Sequence, residues 1–386
     1  MSRSRFALYE GHFDPNDLPR DIGPTRLEWD NGDRRGAFSL LDTHDEPIRR
    51  GGRSLVDTGD ALLLLDEAGA GARQSAQRTG DFTADLAPGA VREALSSLSD
   101  LRALIPLCGG KLRERRAALV DDEGKTHARA AFLRLTSGTH KVTLVEVEAL
   151  RGYDKASQAL WDRIDARAGP ALPPADLLAR LSPDHRPYVA KPDIPLTRTE
   201  SAYDVAGDII GTYLAVARRN EAGVIADLDT EFLHDYRVAL RKTRSVVSLF
   251  KGVYAAEETA ALKAALSDLM APTGRLRDLD VYLLERDTYF ARLPESLHHG
   301  LRIMFDAFAA ERAAAHRALA ARLQGRAYRA EIEALIARFS GAQPIAPGPR
   351  ADWPAHLYAQ RPIWKPYQKV CRIAREIDAD TPDAQV

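Results

Sequence analysis

The chain has 386 residues, 45% of them hydrophobic, with 54 basic side chains against 55 acidic ones. That length favours two or three domains over one. A net charge of −1 excludes a chain drawn as a whole to nucleic acid or to an anionic surface, so any anion site has to be local, made by sorting charges onto one face. Cys108 and Cys371 stand far apart, which argues against a disulfide framework and suits a reducing compartment.

A membrane-crossing helix needs about 20 apolar residues, and no run approaches that length. The opening MSRSRFALYEGHF lacks the apolar core of a secretory signal. A cytoplasmic protein with no membrane partner is expected.

In chain order, the first part reads as α+β. AFSLL and ALLLLDE are short apolar runs beside the turn pairs Asn31-Gly32, Gly51-Gly52 and Thr58-Gly59, and they predict strands. The stretch 88–105 predicts a helix, FLRLTS and KVTLVEVEAL predict strands, and 155–167 predicts a helix with Trp161 and Ile164 on one side. Pro170, Pro173, Pro174, Pro183, Pro187, Pro192 and Pro195 then crowd a stretch that reads as a linker over 170–195, with one short helix at 175–181. Beyond it nearly everything predicts helix: 201–225, 234–254, 257–270, 278–292, 301–323, 327–339 and, after the loop AQPIAPGPRADWPA, 364–377. Helices with modest connections suggest an antiparallel bundle.

Within that bundle, His234, Arg237, Arg241, Arg244, Ser248 and Lys251 follow steps of three and four and share one helix face. Leu233, Tyr236, Leu240, Thr243, Val247 and Phe250 form a mostly apolar stripe beside it, which should face the core. No carboxylate stands between Asp235 and Glu257. Exposed helix faces usually mix signs, because like charges at i,i+4 cost roughly 0.2–0.5 kcal/mol per pair. For one such helix a solvated face and a bound anion account for the pattern equally well.

The pattern recurs, however. Arg312, Arg317, Arg322, Arg326 and Arg329 run without an acid, and Lys365, Lys369 and Arg372 repeat the i, i+4, i+7 spacing on the last helix. Three one-signed faces in one bundle can converge on a groove, and arginine grips phosphate oxygens bidentately. Aromatic interleaving of the kind that stacks nucleic-acid bases is sparse, so a polyanion without bases is the better fit and nucleic acid is not the expected partner. His234 can donate one hydrogen bond to an oxyanion. No nucleophile or paired carboxylate stands near it in sequence, so no catalytic step is assigned to it. In PTGRLRDLDVYL, Asp278 and Asp280 either complement a helix dipole or orient an arginine of the stripes from behind; both readings stand.

LHDYRVALRKTRSVVSLF (233–250) and GRLRDLDVYL (274–283) resemble the CHAD domain, the conserved histidine α-helical domain, over about 196–386. The resemblance implies a bundle of long helices built as two related halves, binding inorganic polyphosphate through basic residues. It assigns the signature cations to His234, Arg237, Arg241, Lys242 and Arg244, and Arg277 to the second segment. Together with the stripes, the expected polyphosphate contacts are these six with Arg322, Arg326, Lys365, Lys369 and Arg372. A polyphosphate-granule association follows from that expectation. The family's second half opens with another basic helix. Here 369–377 resembles only the run-up to it, so the bundle is expected to be C-terminally incomplete and to leave an apolar face exposed. Truncation, a fragment and a lost repeat all account for this.

DPNDLPR (14–20), SLLDTHDEPIRRGGRSL (39–55) and VTLVEVEALRG (142–152) resemble the CYTH domain of triphosphate tunnel enzymes, here over 1–169. In an active member, a Glu-x-Glu-x-Lys strand supplies metal ligands and a phosphate contact. Aligned on DPNDLPR, this chain has Phe6, Leu8 and Glu10 at those places. A hard dication needs oxygen ligands and a triphosphate needs cations, and Asp57 would repel the substrate. A degenerate barrel without triphosphatase activity is expected, with no cofactor. Glu146 and Glu148 share a strand face and are weak metal candidates, with a relic of the fold or a partner for KLRERR the favoured reading; several of the KLRERR arginines are expected on a surface turn. The alternative is a triphosphatase or nucleotide-processing enzyme using Mg or Mn, with the bundle delivering substrate.

Overall fold

Stretches that alternate or run apolar build a long hairpin. In a computed structural model, which describes residues 3–67, 69, 71–197, 199–341 and 343–377 and omits the side chains of 3, 361 and 362, strand β9 (Thr126–Ser137) pairs with β10 (His140–Ala149). Two residues connect them, and Gly138 has φ +56°, the left-handed conformation that such a tight turn asks for. The expected strands also form at β4 (Arg34–Asp42) and β6 (Ala61–Leu65). The others are β1 (Arg3–Glu10), β2 (Asp21–Ile22), β3 (Thr25–Trp29), β5 (Ser54–Asp57), β7 (Gly71–Ser75) and β8 (Ile105–Asp121). Helices α1 (Pro47–Arg50), α2 (Ala90–Ala94), α3 (Asp154–Ala168) and α4 (Leu177–Leu181) accompany them.

The strands form one antiparallel sheet in the order β1-β10-β9-β8-β4-β5-β6-β7, with β3 also on β8 and β2 on β3. Its two ends approach, because the Phe6 amide donates to the Gly69 carbonyl at 2.9 Å. The sheet is therefore a nearly closed barrel. One face of β1, β4, β5, β6, β8, β9 and β10 contributes to a single apolar cluster that includes Phe6, Leu8, Leu40, Leu63, Leu133 and Leu144. Leu177, Leu178 and Leu181 of α4 are buried in the same cluster, so part of the proline-rich stretch is barrel core. The opposite face is covered by α3 through Leu160, Trp161 and Ile164, and by α2 through Val91 and Leu95.

Three expectations for this unit need correction. The helix foreseen over 88–105 is only α2, because the Ser96–Asp100 stretch is rich in turn-forming side chains. KLRERR is not a surface turn but the middle of β8, where Arg115 sits 4.4 Å over the Trp29 ring and Arg116 pairs with Glu114 at 2.6 Å. Glu146 and Glu148 accordingly pair not with KLRERR but with Arg73 and Arg129, at 2.6 and 3.8 Å.

Asp42 is the main polar anchor of the barrel. It is buried and accepts the amides of Thr43, Ile48 and Arg49 at 2.8, 3.2 and 2.9 Å, tying β4 to α1. Asp42→Ala strands those donors and is expected to destabilise the first unit by about 3 kcal/mol, read as a lower denaturant midpoint. An unchanged midpoint would mean that the loop rearranges to bond its own amides.

The chain divides into two compact units at Tyr188/Val189. The second unit is helical: α5 (Ala202–Ala226), α6 (Thr230–Leu249), α7 (Ala256–Met270), α8 (Gly274–Leu284), α9 (Arg286–Arg292), α10 (His298–Gln324), α11 (Arg326–Phe339) and α12 (Ala355–Glu376). The α+β division read from the sequence holds. Helix α5 is the hub, packing on α6, α10, α11 and α12. Some boundaries differ from expectation, and the helix foreseen at 234–254 runs from Thr230 to Leu249. The helix foreseen at 278–292 begins at Gly274 and breaks at Glu285. The last helix starts at Ala355 instead of 364 and runs through prolines, because Ala355 and Tyr358 bury its first turns. The tail 378–386, where the incomplete end was read, lies outside the described residues.

Candidate functional site

Helix α6 is held in a fixed rotation. Asp229 caps it, its carboxylate accepting the Glu231 and Phe232 amides at 2.9 and 3.1 Å. Leu233, Tyr236, Leu240, Thr243 and Val247 are buried along the expected stripe. The Tyr236 hydroxyl lies 3.2 Å from that of Tyr328, which donates to Glu221 at 2.5 Å. With that face locked inward, the cations are turned the other way.

Arg241 and Arg244 are exposed and have no ion pair among the described residues, while His234 and Arg237 are half-buried. The Arg237 guanidinium donates to the Thr273 hydroxyl, which in turn donates to the Met270 carbonyl at 2.6 Å. Thr273 is fully buried in the turn that opens α8. Burial holds the Arg237 pKa below the ordinary guanidinium value; Arg241 and Arg277 push it the same way, and Asp278 opposes them. Arg277 itself stands 3.7 Å from Glu231 and 3.4 Å from the Thr230 carbonyl. Arg237 and Arg277 thus meet at the half-buried junction of α6 and α8, with Arg241 exposed nearby and Glu231 and Asp278 as acids beside them.

The remaining expected contacts are not tied to that cluster. Lys242 lies 3.0 Å from the Tyr213 hydroxyl and 4.4 Å over its ring, against α5. Arg322 turns to the Asp268 carbonyl and to Glu331, both at 3.3 Å. Arg326 is exposed at the start of α11, and Lys365, Lys369 and Arg372 are exposed on α12. Asp280 does orient an arginine from behind. It is buried and bonds Arg312 at 2.8 Å, which also grips Asp227 at 2.6 and 2.7 Å. Asp278 is exposed. Sequence reasoning missed Thr273, because Pro272-Thr273-Gly274 reads as a helix break and gives no sign that its hydroxyl will hold an arginine.

In the barrel, Phe6 and Leu8 are core residues and Glu10 pairs with Arg180 at 3.0 Å. Asp57 is neutralised by Arg78 at 3.2 Å. A cavity of about 680 Å³ is lined by Arg73, Glu114, Arg116, Arg129, Glu146 and Glu148. Asp30 also lines it, and two of its glutamates are paired, Glu114 with Arg34 and Arg116 at 2.7 and 2.6 Å and Glu146 with Arg73 at 2.6 Å. These residues do not fit a hard dication. Two of the three aligned positions are apolar, and every cavity glutamate named here already has an arginine.

The CHAD domain family model matches residues 208–386. Among solved structures, the chain is similar to the CHAD domain from the plant Ricinus communis, at 25% identity over 52% of this chain and 64% of that one, with a TM-score of 0.39. The chain therefore spans less than two thirds of that structure's length. It is also similar to a Hippeastrum protein described as having a dominant triphosphatase activity, at 14% identity over 44% of this chain and 90% of that one, with a TM-score of 0.26. A candidate adenylate cyclase from Bacillus halodurans gives 14% identity over 45% and 92%, again with a TM-score of 0.26. No curated protein matches. With the signature helix folded as a capped, rotation-locked element and the family model matched over it, residues 208–386 are a CHAD domain, carried behind a nearly closed antiparallel barrel.

Proposed function

We propose that the CHAD domain binds inorganic polyphosphate without transforming it, with Arg237, Arg241, Arg244 and Arg277 as the central contacts. His234 donates a hydrogen bond to a phosphate oxygen, and the cations of α10, α11 and α12 extend the track. One observation carries the reading: Arg237 is half-buried beside Arg241 and Arg277, with Asp278 as the opposing charge, and its guanidinium hydrogen-bonds a neutral hydroxyl, that of Thr273. Such an arrangement is unfavourable until an anion arrives. Successive phosphates along a chain match successive guanidiniums, and their binding releases condensed counterions.

With four cations engaged, the logarithm of the association constant should fall against the logarithm of salt with a slope of roughly −3. Fluorescence anisotropy of labelled polyphosphate over a salt series reads this directly, and a slope near zero would end the proposal. Polyphosphate should also displace RNA far better than the reverse.

The Arg- and Glu-lined cavity keeps a second reading in play, a barrel that hydrolyses triphosphate with Mg or Mn. With Phe6 and Leu8 in the core, incubation with tripolyphosphate and either metal should release no phosphate. Sustained turnover that disappears in Glu146→Gln would assign the barrel a catalytic role instead.

A further inference from the structure

The KLRERR strand carries a charge pattern that neither the cavity nor the helices use. Leu112 is barrel core and Glu114 lines the cavity, so alternation turns Lys111, Arg113 and Arg115 of β8 outward. The register extends that outer face across four strands. Arg35 of β4, Arg113 of β8 and Arg134 of β9 stand directly opposite one another, and Lys111 and Lys141 flank Thr136 in the next row. Like charges in direct cross-strand positions destabilise a sheet, so the row calls for an offsetting anion. Two carboxylates supply part of it: Asp33 bonds Arg113, and Asp14 bonds Arg134 at 3.1 Å. Arg35, Lys111 and Lys141 are exposed and have no ion pair among the described residues. His12 stands beside them, its Nε2 3.1 Å from the Thr136 hydroxyl. Partial burial, then Lys141, Arg134 and Arg113, hold its pKa below the ordinary histidine value. The Arg115 guanidinium is fixed 4.4 Å over the Trp29 ring and donates to the Asn16 side-chain oxygen at 2.5 Å.

The make-up of the face selects its occupant. A protein partner wants an apolar centre with charge at the rim, and here the cations hold the centre. A bilayer interface wants large apolar side chains to insert. None is exposed on these four strands, and no helix is long and apolar enough to cross a membrane among the described residues. A phosphate polymer fits. Cations on one face of a strand recur about every 6.8 Å. That is close to the phosphate repeat of an extended sugar–phosphate backbone and well above that of a phosphoanhydride chain, whose neighbouring phosphorus atoms share an oxygen. Bases stack on guanidinium planes as well as on aromatic rings, and Arg115 is such a plane held in place. We propose that this outer face of the barrel binds single-stranded nucleic acid, its backbone along β8 and a base against Arg115. The expectation against nucleic acid concerned the helical stripes, where aromatic side chains are sparse.

The test is fluorescence anisotropy of a labelled oligouridylate of about 12 nucleotides. It is run on the unmodified chain and on the full chain carrying Arg237→Glu, Arg241→Glu and Arg244→Glu, which takes the helical cations out of the reading. Both should bind, and in the second the logarithm of the association constant should fall against that of salt with a slope of roughly −3, for four engaged cations. Lys111→Glu with Lys141→Glu should lower that affinity at least about tenfold. Made in an otherwise unmodified chain, the same pair should leave polyphosphate retention unchanged; both side chains are exposed, so the fold should hold. Arg115→Lys keeps the charge and removes the plane, so it should lower affinity at least about threefold at an unchanged salt slope. Absence of oligouridylate binding overturns the proposal. So does binding that survives the lysine pair, binding that vanishes with the three helical substitutions, tighter binding of a duplex of the same length, or polyphosphate retention that the lysine pair abolishes. The oligouridylate is read with the helical cations reversed and no polyphosphate present. Failure of polyphosphate binding by the unmodified chain would leave that readout untouched, so the two proposals fail separately.

Discussion

Reversing charge at three positions together, Arg237→Glu, Arg241→Glu and Arg244→Glu, should abolish polyphosphate binding while leaving the helical signal at 222 nm intact. Arg241 and Arg244 are exposed and make no ion pair among the described residues, so their replacement removes no fold contact of that kind. Exposed substitutions of this sort usually move stability by no more than about 0.5 kcal/mol. For the ligand the change is severe. Three attractive charges become three repulsive ones beside Arg277, in a setting where partial burial weakens screening. The single variants should rank, with Arg237 costing most because its guanidinium is the least hydrated of the three and is held by Thr273. Thr273→Val, which deletes only that hydroxyl, should weaken binding several-fold. Should Arg237→Glu prove to loosen the α6–α8 junction, Arg237→Gln keeps the size and removes the charge. Full retention of labelled polyphosphate by the triple variant would mean that the stripe is a solvated face.

The largest stability effect in the helical unit is expected at Arg312. Its guanidinium bonds Asp227 twice and the buried Asp280 once, joining α10 to α8 and to the end of α5. The hydrogen bond from Arg312 is the main cause that holds Asp227 below the usual carboxylate range. Burial pushes Asp280 above it, and the arginine only partly offsets this. The second oxygen of Asp280 has no hydrogen-bond partner among the described residues. Arg312→Ala would leave a carboxylate buried alone, a change worth about 3–5 kcal/mol.

The pH dependence has a definite sign. A raised folded pKa contributes stability in acid that is lost as pH rises through it, whereas a lowered one contributes stability at neutral pH that is lost on acidification. Arg312→Ala enlarges the first contribution and removes the second. Its deficit in denaturant midpoint should therefore be greatest near neutrality and shrink toward about pH 4. A deficit that does not vary with pH would mean that packing of the arginine stem, not its charge, holds the helices.

The helical half was readable because its signals are local. Steps of three and four place Leu233, Tyr236, Leu240, Thr243 and Val247 on one face whatever surrounds them, and all five are buried. The strands β9 and β10 were readable from FLRLTS and KVTLVEVEAL, local stretches that alternate or run apolar. Phe6 and Leu8, apolar where the tunnel-enzyme resemblance would expect ligands, are both barrel core. Proline misled at both ends. Around 170–195 it suggested a linker, yet the leucines of α4 are buried in the barrel. After the proline-rich loop the last helix was expected only from 364, yet it begins at Ala355, where Ala355 and Tyr358 are buried anchors.

What the sequence determined by itself was the division into a strand-rich and a helical part, the rotation of α6 and the sorting of its charges, because each depends on periodicity along one element. Which cations stand together was decided only by tertiary structure. Arg237 meets Arg277 across a turn, and Thr273 holds it there, whereas Arg322 is drawn to Glu331 and Lys242 to Tyr213. Electrostatic attraction acts through space, and the partner that captures a flexible side chain is whichever group the packing of helices brings within about 4 Å; no spacing along the chain encodes that distance.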